Sequence, residues 1–277
     1  METRRVAKET PMSFDFTQAD SYILNCSTLL TELPVLERAQ AAKDAGFDKV
    51  EFWWPFDGNP TPSQDEVDAF VASLENAGVE LKGLNFWAGD MAGGDRGMIS
   101  IPGAQADVAA NAAIVAEISR RTGCRAFNAL YGLRLADSTP EEQDAVALEN
   151  LAVVAAAVEG TVLVEPISGA EAYPLKTAAE AAAVVDQVRA AGTENIAVLA
   201  DFYHLAVNGD DVAAAIETGA ASFGHIQIAD AEGRGAPGTG QLPLEAWIAR
   251  SLELGYSGGI ALEYKQDRDT AFAWLAR

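Results

Sequence analysis

EGTVLVEP, residues 159–166, is the stretch that decides the fold. Gly160 closes a long Ala- and Val-rich run, Val162, Leu163 and Val164 follow without a polar gap, and Pro166 ends the segment. A run this short, bounded by Gly and Pro and apolar on both faces, reads as a strand covered on both sides. The same punctuation, a helical stretch closed by Gly with a short apolar run two to five residues later, recurs in both directions along the chain. It appears in AGFDKVEFWW (45–54), AGVELKGLNF (77–86), TGCRAFNALYG (122–132), AGTENIAVLAD (191–201) and LGYSGGIALEYK (254–265). With SYILNCS (21–27) and FGHIQIAD (223–230), the candidate strands number eight.

Helices lie between them. Ser63 with Glu66 and Thr177 with Glu180 have the spacing of capping boxes, and Thr139, Pro140 and Glu142 read as cap, first-turn proline and reciprocal acid. Residues 65–76, 105–121, 141–158 and 178–190 are Ala-rich with an apolar face at helical spacing. Alternating apolar strands and helices predict an α/β fold, and eight units predict closure into a (β/α)8 TIM barrel rather than an open sheet. No GxGxxG follows the first strand, and the longest candidate loops, 85–102 and 229–242, follow strand ends, as barrel active-site loops do. The expected organisation is a single barrel over 21–277 with an extension over 1–20, inside which Met12 is an alternative start.

The 277 residues are 49% hydrophobic and 22% charged. Nineteen Lys and Arg stand against 41 Asp and Glu, a net charge of −22 that repels a polyphosphate backbone. Nucleic acid is therefore not an expected partner; a small molecule is, and an anionic one needs local cations or a metal to enter. Cys26 and Cys124 are isolated and read as buried thiols rather than a disulfide or metal pair. No apolar run reaches the roughly 20 residues that span a bilayer, and the N-terminus lacks the apolar region of a signal peptide, so the expected location is cytoplasmic. Barrels of this type commonly pair through their outer helices, so a homo-oligomer is expected through a face the sequence does not identify.

The C-terminal ends of parallel barrel strands converge on one mouth, which makes neighbours of the polar residues that end apolar runs. Glu165 ends VLVE, Asp201 ends AVLAD, Gln227 lies within HIQIAD, and Glu263 follows GIAL. Singly, each acid could equally cap a helix or pair with a lysine. Together, three carboxylates and a carboxamide facing one cavity repel one another unless a cation neutralises them, and oxygen ligands suit Mg²⁺ or Mn²⁺. His204, three residues after Asp201, is placed for substrate contact or sits solvated on its loop. His225 shares a strand face with Gln227, as a supporting partner or a packed histidine. Arg234 is either a bidentate carboxylate ligand or a surface residue. Glu51 is a buried helper of the site or a structural acid, and Trp53, Trp54, Phe86 and Trp87 read as pocket wall and core.

With these strand ends aligned, the chain from Ser21 onward resembles the hydroxypyruvate isomerase family within the xylose isomerase-like barrels. Asn25 and Ser27 in ILNCS carry the resemblance, with VEFWWPFD (50–57), NFWAGDMAGGDRG (85–97) and the following IPG, VEPIS (164–168), ADFYH (200–204), GHIQIADAEGRGAPGTG (224–240) and LEYK (262–265). It implies that Glu165 and Glu263 are the proton-transferring pair, that Glu165, Asp201, Gln227 and Glu263 form the metal site, and that His204, Arg234 and Glu171 lie near the substrate's hydroxyl and carboxylate ends. The implied activity is interconversion of hydroxypyruvate and tartronate semialdehyde through an enediolate. A 2-oxo-tetronate isomerase or ketose 3-epimerase would use the same residues, and a barrel that only binds a small polyol or acid would not need both glutamates. Two loops depart from the pattern: GLNFWAGD (83–90), whose Phe86 and Trp87 are expected to reshape the pocket, and the short GAEAYPLKT (169–177). An apurinic-site endonuclease, another relative of these barrels, would need a His-rich zinc cluster and a basic groove, against two histidines here.

Overall fold

The computed structural model describes residues 14–275. Its parallel strands are β1 (Ile23–Asn25), β2 (Lys49–Phe52), β3 (Glu80–Asn85), β4 (Ala126–Asn128), β5 (Thr161–Val164), β6 (Ile196–Asp201), β7 (Phe223–Ile228) and β8 (Ile260–Leu262). They follow one another around a closed barrel, which β8 completes by pairing Ala261 with Ile23 of β1. The helices are α1 (Arg38–Asp44), α2 (Gln64–Ala77), α3 (Gln105–Thr122), α4 (Pro140–Ala157), α5 (Ala178–Ala190), α6 (Phe202–Val207), α7 (Val212–Gly219), α8 (Leu244–Glu253) and α9 (Arg268–Ala271). The eight expected strands and the closed barrel are thus present, and α2 to α5 match the expected helices to within one residue at each end.

Local chemistry explains these boundaries. Ser63, Thr139 and Thr177 each accept a hydrogen bond from the backbone three residues on, and Glu66, Glu142 and Glu180 each accept one from the cap residue's own amide, so all three capping boxes are closed. Gly78 ends α2 in the left-handed region at φ 65°, which no β-branched residue adopts cheaply.

The main apolar cluster fills the space between strands and helices. Inside the barrel a separate small cluster of Leu163, Ala197 and Leu199, with Ala126 against it, forms a dry plug. Side chains alternate along a strand, so the positions two residues beyond Ala126, Leu163 and Leu199 also face inward. These are Asn128, Glu165 and Asp201, and the apolar plug is therefore the floor of a polar chamber. The extension expected over 1–20 lies outside the described residues as far as residue 13, Met12 included. From Phe14 onward the chain is packed: the rings of Phe14 and Tyr22 are 5.1 Å apart, and the Tyr22 hydroxyl donates to the Phe16 carbonyl at 3.0 Å.

One buried hydroxyl ties the β4 and β5 loops together. Tyr173 Oη accepts from the Tyr131 amide at 2.9 Å and donates to the Glu165 carbonyl at 2.9 Å. Removing it leaves both backbone groups unpaired. Tyr173→Phe should therefore lower the unfolding free energy by about 1–3 kcal/mol in urea titrations, although it deletes only one atom; an unchanged midpoint would mean that water replaces the hydroxyl.

Candidate active site

Every strand of the barrel delivers one polar side chain to the same level. Asn25, Glu51, Asn85, Asn128, Glu165, Asp201, Gln227 and Glu263 come from β1 to β8 in order, and none is more than 6% exposed. The registers place Asn25 beside Glu51, Asn85 beside Asn128, and Asp201 beside Gln227. The belt contains four carboxylates buried within a few side chains of one another, and Arg234 reaches two of them, Asp201 and Glu263.

Hydrogen bonds fix which oxygens of the belt are occupied and which are free. Asp201 caps α6: its Oδ1 accepts from the amides of Tyr203 at 2.8 Å and His204 at 3.2 Å, and Oδ2 is left without a hydrogen-bond partner. Gln227 donates from Nε2 to Glu51 Oε1 at 2.7 Å, which turns its own Oε1 away with no partner. Glu165 receives Asn128 Nδ2 on Oε2 at 2.6 Å. Glu263 receives Asn25 Nδ2 on Oε2 at 3.1 Å and the Arg234 guanidinium on Oε1. Glu51 is the hub behind them, accepting from Asn25 at 2.8 Å and bonded to His225 Nε2 at 2.7 Å. Gly83 is what leaves it room, because a Cβ there would lie 3.0 Å from both Cβ and Oε2 of Glu51.

His204 has a defined tautomer. Its Nδ1 accepts from the Ser168 amide at 3.0 Å and contacts the Ser168 hydroxyl at 2.7 Å, so the neutral ring carries its hydrogen on Nε2. That nitrogen lies 3.5 Å from Asp201 Oδ2 and 4.0 Å from Glu165 Oε1. Glu165, Asp201 and His204 thus bring potential metal-ligand atoms within 4.8 Å of one another. A nitrogen that holds a hydrogen is a donor and not a ligand, so the oxygens are the better donor set. The unpartnered Asp201 Oδ2 and Gln227 Oε1 fit that role, since buried acceptors without a donor are otherwise costly.

Burial dominates the electrostatics. It pushes the Glu165 carboxyl up to about 8, with Asp201 adding to the shift and the Asn128 hydrogen bond opposing it. Glu263 is raised well above the usual carboxylate range by burial, with Arg234 pulling the other way and Glu165 and Asp201 pushing it further up. Burial lowers His204 to about 4, which keeps the ring neutral. Burial also works against the Arg234 charge, but Glu263, Asp201 and Glu165 outweigh it.

Above the belt lies a cavity of about 610 Å³. Glu165, His204, Arg234 and Glu263 line it together with Asn85, Trp53, Tyr203, Ser168, Arg96 and Lys265. Asp201 and Gln227 are neighbours by register and do not line it. Glu171 does not line it either. It is exposed on the loop after β5, where the anchored Tyr173 turns the intervening residues outward, while Ser168 and Gly169 of that loop face the cavity. Phe86 and Trp87 do not shape the cavity either: Phe86 packs on Phe127, and the Trp87 indole donates to the Gly58 carbonyl at 2.9 Å. Asn128 and Asn85 are site residues that no charge marks out in the sequence, although both end apolar runs in the same way as the acids do.

This architecture and site belong to a recognisable group of barrel proteins. Residues 39–277 match the xylose isomerase-like TIM barrel family, and the chain is a member of it. Within that family it belongs with the hydroxypyruvate isomerases and 2-oxo-tetronate isomerases. A provisionally named hydroxypyruvate isomerase of Streptomyces coelicolor is 49% identical over 91% of this chain and 94% of its own length. The 2-oxo-tetronate isomerase of Cupriavidus necator is 32% identical over 92% of this chain and 96% of its own. Among solved structures, one titled AP endonuclease, family 2, from Brucella melitensis superposes with a TM-score of 0.81 at 28% identity, covering 92% of this chain and 97% of that one. No helix among the described residues is long and apolar enough to cross a membrane.

The raised carboxyls make stability pH-dependent. A folded-state value of about 8 at Glu165, against 4.5 unfolded, gives a contribution that is fully present below 4.5 and lost as pH rises through 8; Glu263 acts in the same direction. The lowered His204 works oppositely, but only below its unfolded value of 6.5. In chelator, the melting temperature should therefore fall between pH 6.5 and 8, and Mg²⁺ or Mn²⁺ should raise it more at pH 8, where the ligands are ionised. A flat profile in scanning fluorimetry would mean that Glu165 ionises normally.

Proposed function

We propose that the protein is a divalent-metal-dependent isomerase that interconverts a small 2-oxo acid, hydroxypyruvate in the first instance, with its 2-hydroxy aldehyde. One observation carries this reading: Glu165, Asp201, Gln227 and Glu263 are buried in succession at the ends of β5 to β8, Glu165 and Glu263 line one cavity, and Asp201 Oδ2 and Gln227 Oε1 lack any hydrogen-bond partner. Relatives with the matching names support the substrate class. Mg²⁺ or Mn²⁺ held by these four residues would supply Lewis-acid polarisation of the substrate's carbonyl and hydroxyl oxygens.

The chain's own groups then need only move protons. Conversion of HOCH₂–CO–COO⁻ into OHC–CH(OH)–COO⁻ takes a proton from the hydroxymethyl carbon, passes through an enediolate, and returns a proton to the neighbouring carbon. Glu165 and Glu263 end strands on different sides of the rim, so each can serve one carbon. Asn128 holds one oxygen of Glu165 and leaves the other for the proton, whereas Glu263 accepts from Asn25 on one oxygen and from Arg234 on the other, so a proton on Glu263 must displace one of these donors. His204 Nε2–H is placed to donate to a substrate oxygen as it gains charge: the lowered value keeps the ring neutral, and the Ser168 amide on Nδ1 keeps its one hydrogen on Nε2. The 610 Å³ cavity also admits a four-carbon acid, and the Cupriavidus necator relative favours 2-oxo-tetronates as the second substrate to assay.

Turnover in D₂O should place solvent deuterium on the carbon that receives the proton, because carboxyl protons exchange with water between turnovers. Glu165→Gln and Glu263→Gln should each lower kcat by at least ~10²-fold while leaving measurable metal binding. Retention of a substrate deuterium on the neighbouring carbon, with none incorporated from solvent, would replace the proton relay with a direct hydride shift.

A further inference from the structure

The cavity has an acid wall and a basic wall. A 2-oxo acid brings its own negative charge, and that charge cannot lie among the buried carboxylates of the belt. It must face cations, and those lining the cavity are Arg234, Arg96 and Lys265.

Arg234 is already committed. Its Nη2 is bonded to Glu263 Oε1 and lies 3.6 Å from Asp201 Oδ2, its Nε donates to the Glu263 carbonyl at 3.0 Å, and its guanidinium stacks over the Tyr203 ring at 5.4 Å. A group that already neutralises two acids has little left for a third.

Arg96 is arranged differently. Its Nη1 donates backwards to the carbonyls of Met91 at 3.0 Å and Asp95 at 2.5 Å, which pins the guanidinium without using Nε or Nη2. Those two nitrogens form the edge that grips a carboxylate through two parallel hydrogen bonds. Among the described residues no carboxylate oxygen lies within 4.0 Å of Arg96 or Lys265. Asp95 is turned into the loop, where its Oδ2 accepts from the Asp90 amide at 2.8 Å. Gly97 seats the loop against the β4 loop: it has φ +111°, and a Cβ there would lie 2.1 Å from the Leu130 carbonyl oxygen. Arg96 is thus presented by a preformed loop. Lys265 comes from the strand end that also carries Glu263, and its amide donates to the Arg234 carbonyl at 2.7 Å.

We infer that the Nε–Nη2 edge of Arg96, with the ammonium of Lys265 beside the same cavity, seats the substrate's carboxylate and selects a 2-oxo acid over an uncharged ketose. The inference rests on the isomerase reading above and moves the carboxylate contact from Arg234 to Arg96 and Lys265.

The test compares hydroxypyruvate with dihydroxyacetone, which keeps the α-hydroxyketone and replaces COO⁻ by CH₂OH. Arg96→Gln should reduce the ratio of kcat/KM for the acid to that for the ketose by roughly 10–100-fold, with the loss in KM for the acid, as expected for a charge-assisted pair. Arg96→Lys, which keeps the charge without the fork, should fall between wild type and Gln, and the exposed Lys265→Gln should show a smaller loss of the same kind. An unchanged ratio in Arg96→Gln overturns the inference. If wild-type enzyme turns over no 2-oxo acid, the isomerase reading fails, and calorimetric titration of glycerate into the metal-free proteins decides the seat separately. Weaker binding to Arg96→Gln than to wild type upholds it, and equal binding removes it.

Discussion

Four carboxylates buried at the mouth of a barrel, with one guanidinium among them, set the conditions that the rest of this structure meets. Charge taken out of water is costly unless it is paired or hydrogen-bonded, and like charges close together raise one another's affinity for protons. Each acid of the belt therefore has an amide, an imidazole or a guanidinium against it: Asn25 and Arg234 on the two oxygens of Glu263, Gln227 and His225 on the two of Glu51, and Asn128 on one oxygen of Glu165. Asp201 uses two backbone amides of the helix it caps. What remains without a donor is Asp201 Oδ2 and, beside it by register, Gln227 Oε1, a deficit that a cation of the oxygen-loving kind would relieve.

The same network removes ambiguity from groups that could otherwise face either way. A glutamine amide presents a donor or an acceptor depending on a flip, and Glu51 decides the matter for Gln227 by taking its nitrogen. An imidazole has two tautomers, and the Ser168 amide selects the one with Nε2–H directed at Asp201 and Glu165. Neither Glu51 nor Ser168 need touch a substrate to matter, because each determines what a neighbouring group offers.

Much of this was legible in the sequence because it depends on period and punctuation. Helix-ending glycines and short two-faced apolar runs are local signals, and the three capping boxes closed as their spacing predicts. The strand-end rule found Glu165, Asp201, Gln227 and Glu263, and applied evenly it would have found Asn128 and Asn85 as well; charge drew attention to the acids and passed over the amides that orient them. Glu171 shows the limit of the rule. It sits in a loop whose direction is set by Tyr173, a residue bonded to two different strand ends, and such long-range contacts leave no periodic trace. Arg96 was silent for the same reason, since nothing in a Gly- and Asp-rich loop reveals which of its side chains faces a cavity.

Strand ends and loops therefore divide the work. The belt is built from the strands, where register holds neighbouring side chains in fixed order, so the groups proposed to move protons and hold a cation vary little in position. The basic wall is built from the loops after β3 and β7 and from the chain just beyond β8, through Arg96, Arg234 and Lys265. A protein with a net charge of −22 repels an anion at long range, so discrimination among small acids and sugars must come from contacts made inside the cavity. A change in substrate would then require new loops above an unchanged belt, whereas a change at the belt would remove the chemistry for every substrate alike.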